Sequence, residues 1–176
     1  MKGRAVMALK RLHILAVVGI ALAIGGAAVV VGQQPRVAQP VMAPAEAHAK
    51  ARAGEIVLVD IRTPEEWKET GIPTSAHAIT MNQDPRAFSK QLLTAMGGDA
   101  TKPVALICRT GNRSSTLQAE LNKAGFPNVV DVAEGMAGGR NGKGWLKTGL
   151  PTRPGALASA PPALDPNAAS QKAGTK

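Results

Sequence analysis

Cys108 is the single cysteine of a 176-residue chain, and it heads the stretch Cys108, Arg109, Thr110, Gly111, Asn112, Arg113, Ser114. The apolar run at 104–107 before it reads as a strand buried on both faces, and residues 114–124 after it read as a helix. The cysteine therefore falls at a strand-to-helix turn. In such a turn several backbone N–H groups converge with the positive end of the helix dipole, which favours an anion there. The spacing predicts a thiolate nucleophile beside an anion cradle. A cysteine acting as a small buried hydrophobe would need neither Gly111 nor the two arginines that follow within five positions.

The elements that must hold this turn come in strand-helix alternation from 41 to 153, which predicts one α/β domain. Val41 and Met42 read as an edge strand, and an alanine-rich helix spans 44–52 until Gly54 closes it. Residues 56–61 form an apolar strand. A helix opens at Thr63 on three agreeing signals: Thr63 as N-cap, Pro64 at the first helical position and Glu66 completing a capping box. A shorter strand is expected at 78–81. The next helix starts at Asp84 and Pro85, sets Phe88, Leu92, Leu93 and Met96 on one face and stops at Gly97 and Gly98. The last strand spans 129–132. Strands separated by helices lie parallel with right-handed crossovers, so the sheet should be five-stranded and mainly parallel with helices on both faces. In such a sheet the site lies at the carboxyl ends of the strands, the rim that Asp60, Arg62, Cys108 and the loop from Ala133 share.

Cys-x-x-Gly-x-Arg-Ser after a buried strand resembles the active-site loop of the rhodanese-homology domains, the single-domain sulfurtransferases. The likeness extends over residues 41–151. Leu58, Val59, Asp60, Ile61 and Arg62, followed by Glu66-Trp67 and Gly71-Ile72-Pro73, are similar to the first signature of that family. Gly135-Met136 with Trp145 and Gly149-Leu150-Pro151 resemble the last. Two departures stand out: Gly71 occupies the place of a usual histidine, and the glycine-rich insert 137–144 precedes Trp145. Tyrosine phosphatases carry their arginine one residue later, and phosphatases of rhodanese fold have a longer loop. The resemblance implies nucleophilic sulfur transfer: Cys108 takes a sulfane sulfur as a persulfide and passes it to cyanide or a thiol. The loop of Arg109, Thr110, Gly111, Asn112 and Arg113 then binds the substrate anion. Arg113 holds the loop's shape, through Asp60, with Arg62 in support, and Arg109 meets a small anionic donor such as thiosulfate. No cofactor is called for. The glycines of the insert suggest a mobile backbone that carries Arg140 and Lys143 over the pocket mouth to capture the donor.

Other function classes are excluded on composition. The net charge of +9 would suggest nucleic acid if it lay on one folded surface, yet residues 1–40 hold Lys2, Arg4, Lys10, Arg11 and Arg36 with no acid, while 41–153 hold 14 basic against 11 acidic residues. With no Tyr and two Phe, the stacking surface of a single-strand binder is missing. No His/Asp/Glu cluster has the spacing of a zinc site or a triad, so no metal is expected. His48 falls on an exposed helix, and His77 is structural.

The N-terminal charge has another use. Residues 1–11 form a basic flank, and the 19 residues from Ile14 to Gly32 carry no charge, long enough for a helix to span a bilayer. An uncleaved transmembrane anchor over 12–32 is expected rather than a cleaved signal, because the small-x-small sites near Ala45 and Ala49 lie more than ten residues past Val31. The positive flank places the N-terminus in the cytoplasm. The domain would then sit on the extracytoplasmic side, the periplasm of a bacterium, anchored at the inner membrane; a cleaved signal would leave it soluble there. Residues 33–40 read as a linker and 154–176 as a disordered tail. Three function classes follow: a sulfurtransferase tethered at the membrane, a tethered rhodanese-like binding or sulfur-carrier module with little turnover, and, disfavoured by loop length, a phosphatase or arsenate reductase.

Overall fold

A computed structural model describes residues 39–163 of the chain. The expected anchor at 12–32 lies outside the described residues, as does the tail from 164. Among those described, no helix is long and apolar enough to cross a membrane.

The elements in chain order are α1 (Pro44–Arg52), β1 (Val57–Asp60), α2 (Pro64–Thr70), β2 (Ile72–Pro73), β3 (Ala76–Ala78), α3 (Pro85–Ala95), β4 (Val104–Ile107), α4 (Asn112–Lys123), β5 (Val129–Asp131), α5 (Gly144–Lys147) and β6 (Thr152–Arg153). Four strands form one parallel sheet in the order β3-β1-β4-β5. Alternation along the central strands divides the core in two. Leu58, Ala105 and Ile107 face one layer with Ala47, Trp67, Met136 and Trp145, whereas Val59, Val104 and Leu106 face the other with Phe88, Leu92, Leu121 and Phe126. Strands buried on both faces read as continuous apolar runs, which is why β1 and β4 are legible in the sequence.

The expected fifth strand shrinks to a single parallel bridge, Val41 to Asp131. Met42 N–H donates to Asp131 O at 2.9 Å and Asp131 N–H to Pro40 O at 3.1 Å. Pro40 has no N–H, and Pro44 commits the chain to α1, so the ladder cannot lengthen in either direction. β3 comes earlier than the expected 78–81. Ala76 is set opposite Leu58, and beyond Ala78 the backbone still donates from Ile79 to Asp60 O and from Met81 to Ile61 O. β2 and β6 form a separate antiparallel pair that no local pattern announces. The chain also stays ordered past Pro154. A 3₁₀ turn spans Gly155–Leu157, and Ala163 N–H donates to Thr74 O at 2.8 Å, so the first ten residues of the expected tail are part of the folded body.

α1 is not an exposed helix. Ala47 and Ala51 are buried, and His48 is half-buried, bonded through Nδ1 to Ser75 Oγ at 3.0 Å and set edge-on to Trp145 at 5.3 Å between ring centroids. Burial first, and Arg52 second, hold the His48 pKa below the usual histidine range. The small alanines let the helix approach the sheet closely, which the low hydrophobicity of the segment conceals.

Candidate active site

Cys108 directly follows β4 at 1% exposure, and its Sγ is held by two donors: Gly111 N–H at 3.2 Å and Ser114 O–H at 3.3 Å. Gly111 makes the turn possible. Its φ of +91° is a left-handed conformation, and a Cβ there would stand 2.1 Å from Ala133 O. With Gly111 as N-cap, α4 starts at Asn112, two residues before the expected 114, so Asn112 and Arg113 belong to its first turn. The loop after β5 is laid against the cysteine turn by Met136 N–H to Cys108 O and Ala137 N–H to Arg109 O, both 2.9 Å.

Ser114 has one proton and competing acceptors. Its hydroxyl reaches Cys108 Sγ and also Gly111 O at 3.1 Å. The Asp131 carboxyl is 4% exposed, and its Oδ1 has no hydrogen-bond partner; burial pushes its pKa up, against a hydrogen bond from Ser114. An anionic sulfur at Cys108 draws the Ser114 proton to itself. A hydrogen bond to a charged group contributes about 1.5–3 kcal/mol, so Ser114→Ala should slow alkylation of Cys108 by iodoacetamide at neutral pH by about tenfold. An unchanged rate would show that Ser114 only fills space.

The arginines pair differently from expectation. Arg113 does not reach for Asp60; its two terminal nitrogens make a fork with the Glu66 carboxylate, at 2.8 and 2.6 Å. This bond holds Glu66 below the usual carboxylate range and, with the Cys108 sulfur adding to it, holds Arg113 above its ordinary value. Glu66 also accepts Thr63 N–H at 3.1 Å, so the capping box is present and one carboxylate both caps α2 and steadies the cysteine loop. Asp60 is already taken. Arg62, two residues on, donates to it at 2.9, 3.1 and 2.6 Å, and both side chains are buried, at 0% and 2% exposure. Arg62 further bonds Thr70 Oγ1 at 2.7 Å and Gly71 O at 2.6 Å, tying the end of β1 to the end of α2. Burial pushes the Asp60 carboxyl up, with the Arg62 hydrogen bonds opposing it.

Arg109 is exposed, Thr110 half-buried and Asn112 exposed. Arg109 borders a recess of about 60 Å³ beside the cysteine turn, together with Glu66, Glu69, Thr70, Met136 and Leu146. Arg140 and Lys143 are exposed and do not line it. Their insert is a closed turn rather than an open backbone. Gly139 and Gly142 exchange hydrogen bonds at 2.9 and 3.3 Å across Arg140 and Asn141, Asn141 Nδ2 donates to Ala133 O, and Gly144 N–H donates to Glu134 Oε2. A larger cleft of about 970 Å³ runs by β3 and α3, past His77, Thr80 and Lys90, but no residue from 108 to 114 lines it. The thiol and its hydrogen-bond donors, not cavity size, mark the site. Among the described residues no group of His, Cys, Asp and Glu could hold a metal ion.

Glu66, Ser114 and Asp131 complete the site beyond the residues assigned a role from the sequence. In the sequence Glu66 is legible only as a helix cap, Ser114 as the last letter of the loop motif, and Asp131 as an acid inside the last expected strand, 129–132.

The structure is a parallel α/β domain that presents one cysteine in a loop of inward-turned hydrogen-bond donors. The chain belongs to the rhodanese-like family: the model of the rhodanese-like domain matches residues 43–141. It is 31% identical over 101 residues to the uncharacterised protein RP600 of Rickettsia prowazekii, covering 53% of this chain and 80% of that one. It is 33% identical over 93 residues to thiosulfate sulfurtransferase GlpE of Pseudomonas syringae, covering 53% and 79%. Among solved structures it is similar to the polysulfide-sulfur transferase homodimer of Wolinella succinogenes, with 26% identity, a TM-score of 0.49 and coverage of 66% and 79%.

Proposed function

We propose that this domain moves a sulfane sulfur from a small anionic donor such as thiosulfate to cyanide or a thiol through a persulfide on Cys108. The observation that carries this reading is the pair of donors, Gly111 N–H and Ser114 O–H, aimed at Cys108 Sγ. The Cys108 thiolate attacks the outer sulfur of thiosulfate; the new bond joins the two sulfurs, and the old S–S bond leaves its electron pair on sulfite. The persulfide then yields its outer sulfur to the acceptor, and the electron pair of the broken bond returns to Cys108. Donors fixed before the reaction stabilise the sulfur anion in each half without reorganisation. Arg113, held by Glu66, keeps positive charge beside that sulfur, and Arg109 stands exposed where a donor anion arrives. Since the chain has no second cysteine, discharge requires an external acceptor.

The test is intact mass after incubation with thiosulfate. A gain of one sulfur atom, lost again on adding cyanide, supports turnover. A gain that cyanide or thiols do not remove supports the carrier reading, and no gain at all overturns both.

A further inference from the structure

Asp131 is a buried carboxyl to which the fold brings no counter-charge. It ends β5 at 4% exposure, and its Oδ1 has no hydrogen-bond partner. β4 is apolar throughout and sets Leu106 opposite it, and residues 40–42, which bridge it through their backbone, carry no charge. On α4, Arg113 is forked on Glu66, and Lys123 bonds Glu120 in solvent. Past β5, Glu134 accepts Gly144 N–H. Gln118 stands over the same strand, but its Nδ-type amide nitrogen, Nε2, is engaged by Pro40 O at 2.8 Å and Val129 O at 2.9 Å, so it has no N–H left to offer. What reaches the carboxyl is the Ser114 hydroxyl, itself 3.3 Å from Cys108 Sγ, and the titratable group beyond that hydroxyl is the thiol.

A buried carboxyl without a cation or a set of N–H donors holds its proton rather than its charge, and burial pushes Asp131 in that direction. Ionised, it would take the Ser114 proton and set a second negative charge behind the sulfur anion. Neutral, it does the opposite. We infer that Asp131 is a positioning residue: its carboxyl keeps its proton, donates it to Ser114 Oγ and so leaves the single Ser114 proton for Cys108 Sγ. The chain runs from Asp131 O–H to Ser114 O–H to the sulfur anion, and each bond strengthens the next. Without the first bond Ser114 is free to turn its proton to Gly111 O, 3.1 Å away. For its use in turnover this rests on the sulfur-transfer reading, in which Cys108 returns to a thiolate each time the outer sulfur departs.

The experiment measures alkylation of Cys108 by iodoacetamide between pH 6 and pH 8 in the parent, Asp131→Val, Asp131→Asn, Ser114→Ala and the double variant Ser114→Ala/Asp131→Val. Asp131→Val, similar in shape but with no proton to give, should slow the reaction about three- to tenfold, the worth of one hydrogen bond. Asp131→Asn, whose amide N–H can donate to Ser114 Oγ as the acid does, should recover most of that loss at pH 6 and pH 8 alike. In the Ser114→Ala background Asp131→Val should slow the reaction no further, since Asp131 acts through that hydroxyl. A second measurement needs no kinetics: the infrared difference between parent and Asp131→Asn at pH 7 should contain the carbonyl band of a protonated carboxyl. Alkylation of Asp131→Asn several-fold faster than the parent at pH 6, or the absence of that band, means an ionised Asp131 and overturns the inference. So does Asp131→Val at the parent rate, or its full slowing in the absence of Ser114. If Asp131→Val does not fold, the Asp131→Asn rates and the infrared band decide. Loading by thiosulfate is read separately by intact mass; its absence in the parent overturns the sulfur-transfer reading, while alkylation and infrared still decide what Asp131 does.

Discussion

Cys108→Ser should abolish sulfur transfer, with kcat/KM falling on the order of a thousandfold or more, while the protein stays folded. Both halves follow from the same geometry. The side chain sits at 1% exposure with Gly111 N–H and Ser114 O–H directed at it, and a serine hydroxyl accepts the same two hydrogen bonds in nearly the same volume. The fold therefore loses no partner, and stability should change by about 1 kcal/mol at most. Chemistry is lost because a hydroxyl is a far weaker nucleophile at neutral pH, and nothing in the site activates it: no histidine lines the recess, and Asp131 is separated from the nucleophile by Ser114. Steady-state transfer from thiosulfate to cyanide, with thermal unfolding measured on the same preparation, checks both. Retained turnover in the purified variant would remove Cys108 from the mechanism.

The parts of the domain legible in the sequence are those whose cause is local. α1 occupies 44–52 as its proline and glycine dictate, α2 starts on its capping box, and the central strands show as apolar runs because both faces are covered. The cysteine turn is legible because Gly111 must take a conformation open to glycine. What escapes is what distant segments decide together. Arg113 and Glu66 lie 47 residues apart, and only the packing of α2 against the cysteine loop makes them a pair. Arg113 and Asp60 share a rim, which suggests a pair, but Asp60 is buried with a nearer cation on its own chain segment, Arg62. The β2 and β6 pair joins dipeptides too short to carry a period of two, and β3 is hidden by small and polar residues whose place is set by β1. The glycine-rich insert misled for the converse reason: glycines that allow mobility also allow a tight turn, and Glu134 closes this one by accepting Gly144 N–H.

The largest stability effect is expected at Arg62. Its guanidinium supplies three hydrogen bonds to Asp60, one to Thr70 Oγ1 and one to Gly71 O, all at 2% exposure. Arg62→Met keeps much of the apolar stem but leaves the Asp60 carboxylate buried without its counter-charge. Removing one partner of a buried pair costs about 3–5 kcal/mol, most of it the desolvation of the charge left behind. The loss should depend on pH. In the unfolded chain Asp60 ionises near its ordinary value of about 4, whereas burial already pushes the folded carboxyl up and the variant removes the Arg62 hydrogen bonds and charge, the largest of the contributions that oppose this, leaving only the smaller one from Trp67 and the charge of Arg153. Above pH 4 the unfolded state of the variant releases the proton that its folded state retains, so stability falls as pH rises between the two pKa values. Arg62→Met should be markedly less stable at pH 7.5 than at pH 5.5, and Asp60→Asn combined with Arg62→Met should recover part of the loss and flatten its pH dependence. Denaturant unfolding at the two pH values decides it: a deficit that is the same at both, and unrelieved by Asp60→Asn, would mean that Arg62 matters for its bonds to α2 rather than for the buried charge. Because Arg62 anchors the α2 segment that carries Glu66, the variant should also loosen the Glu66 fork on Arg113 and slow sulfur transfer even where it remains folded.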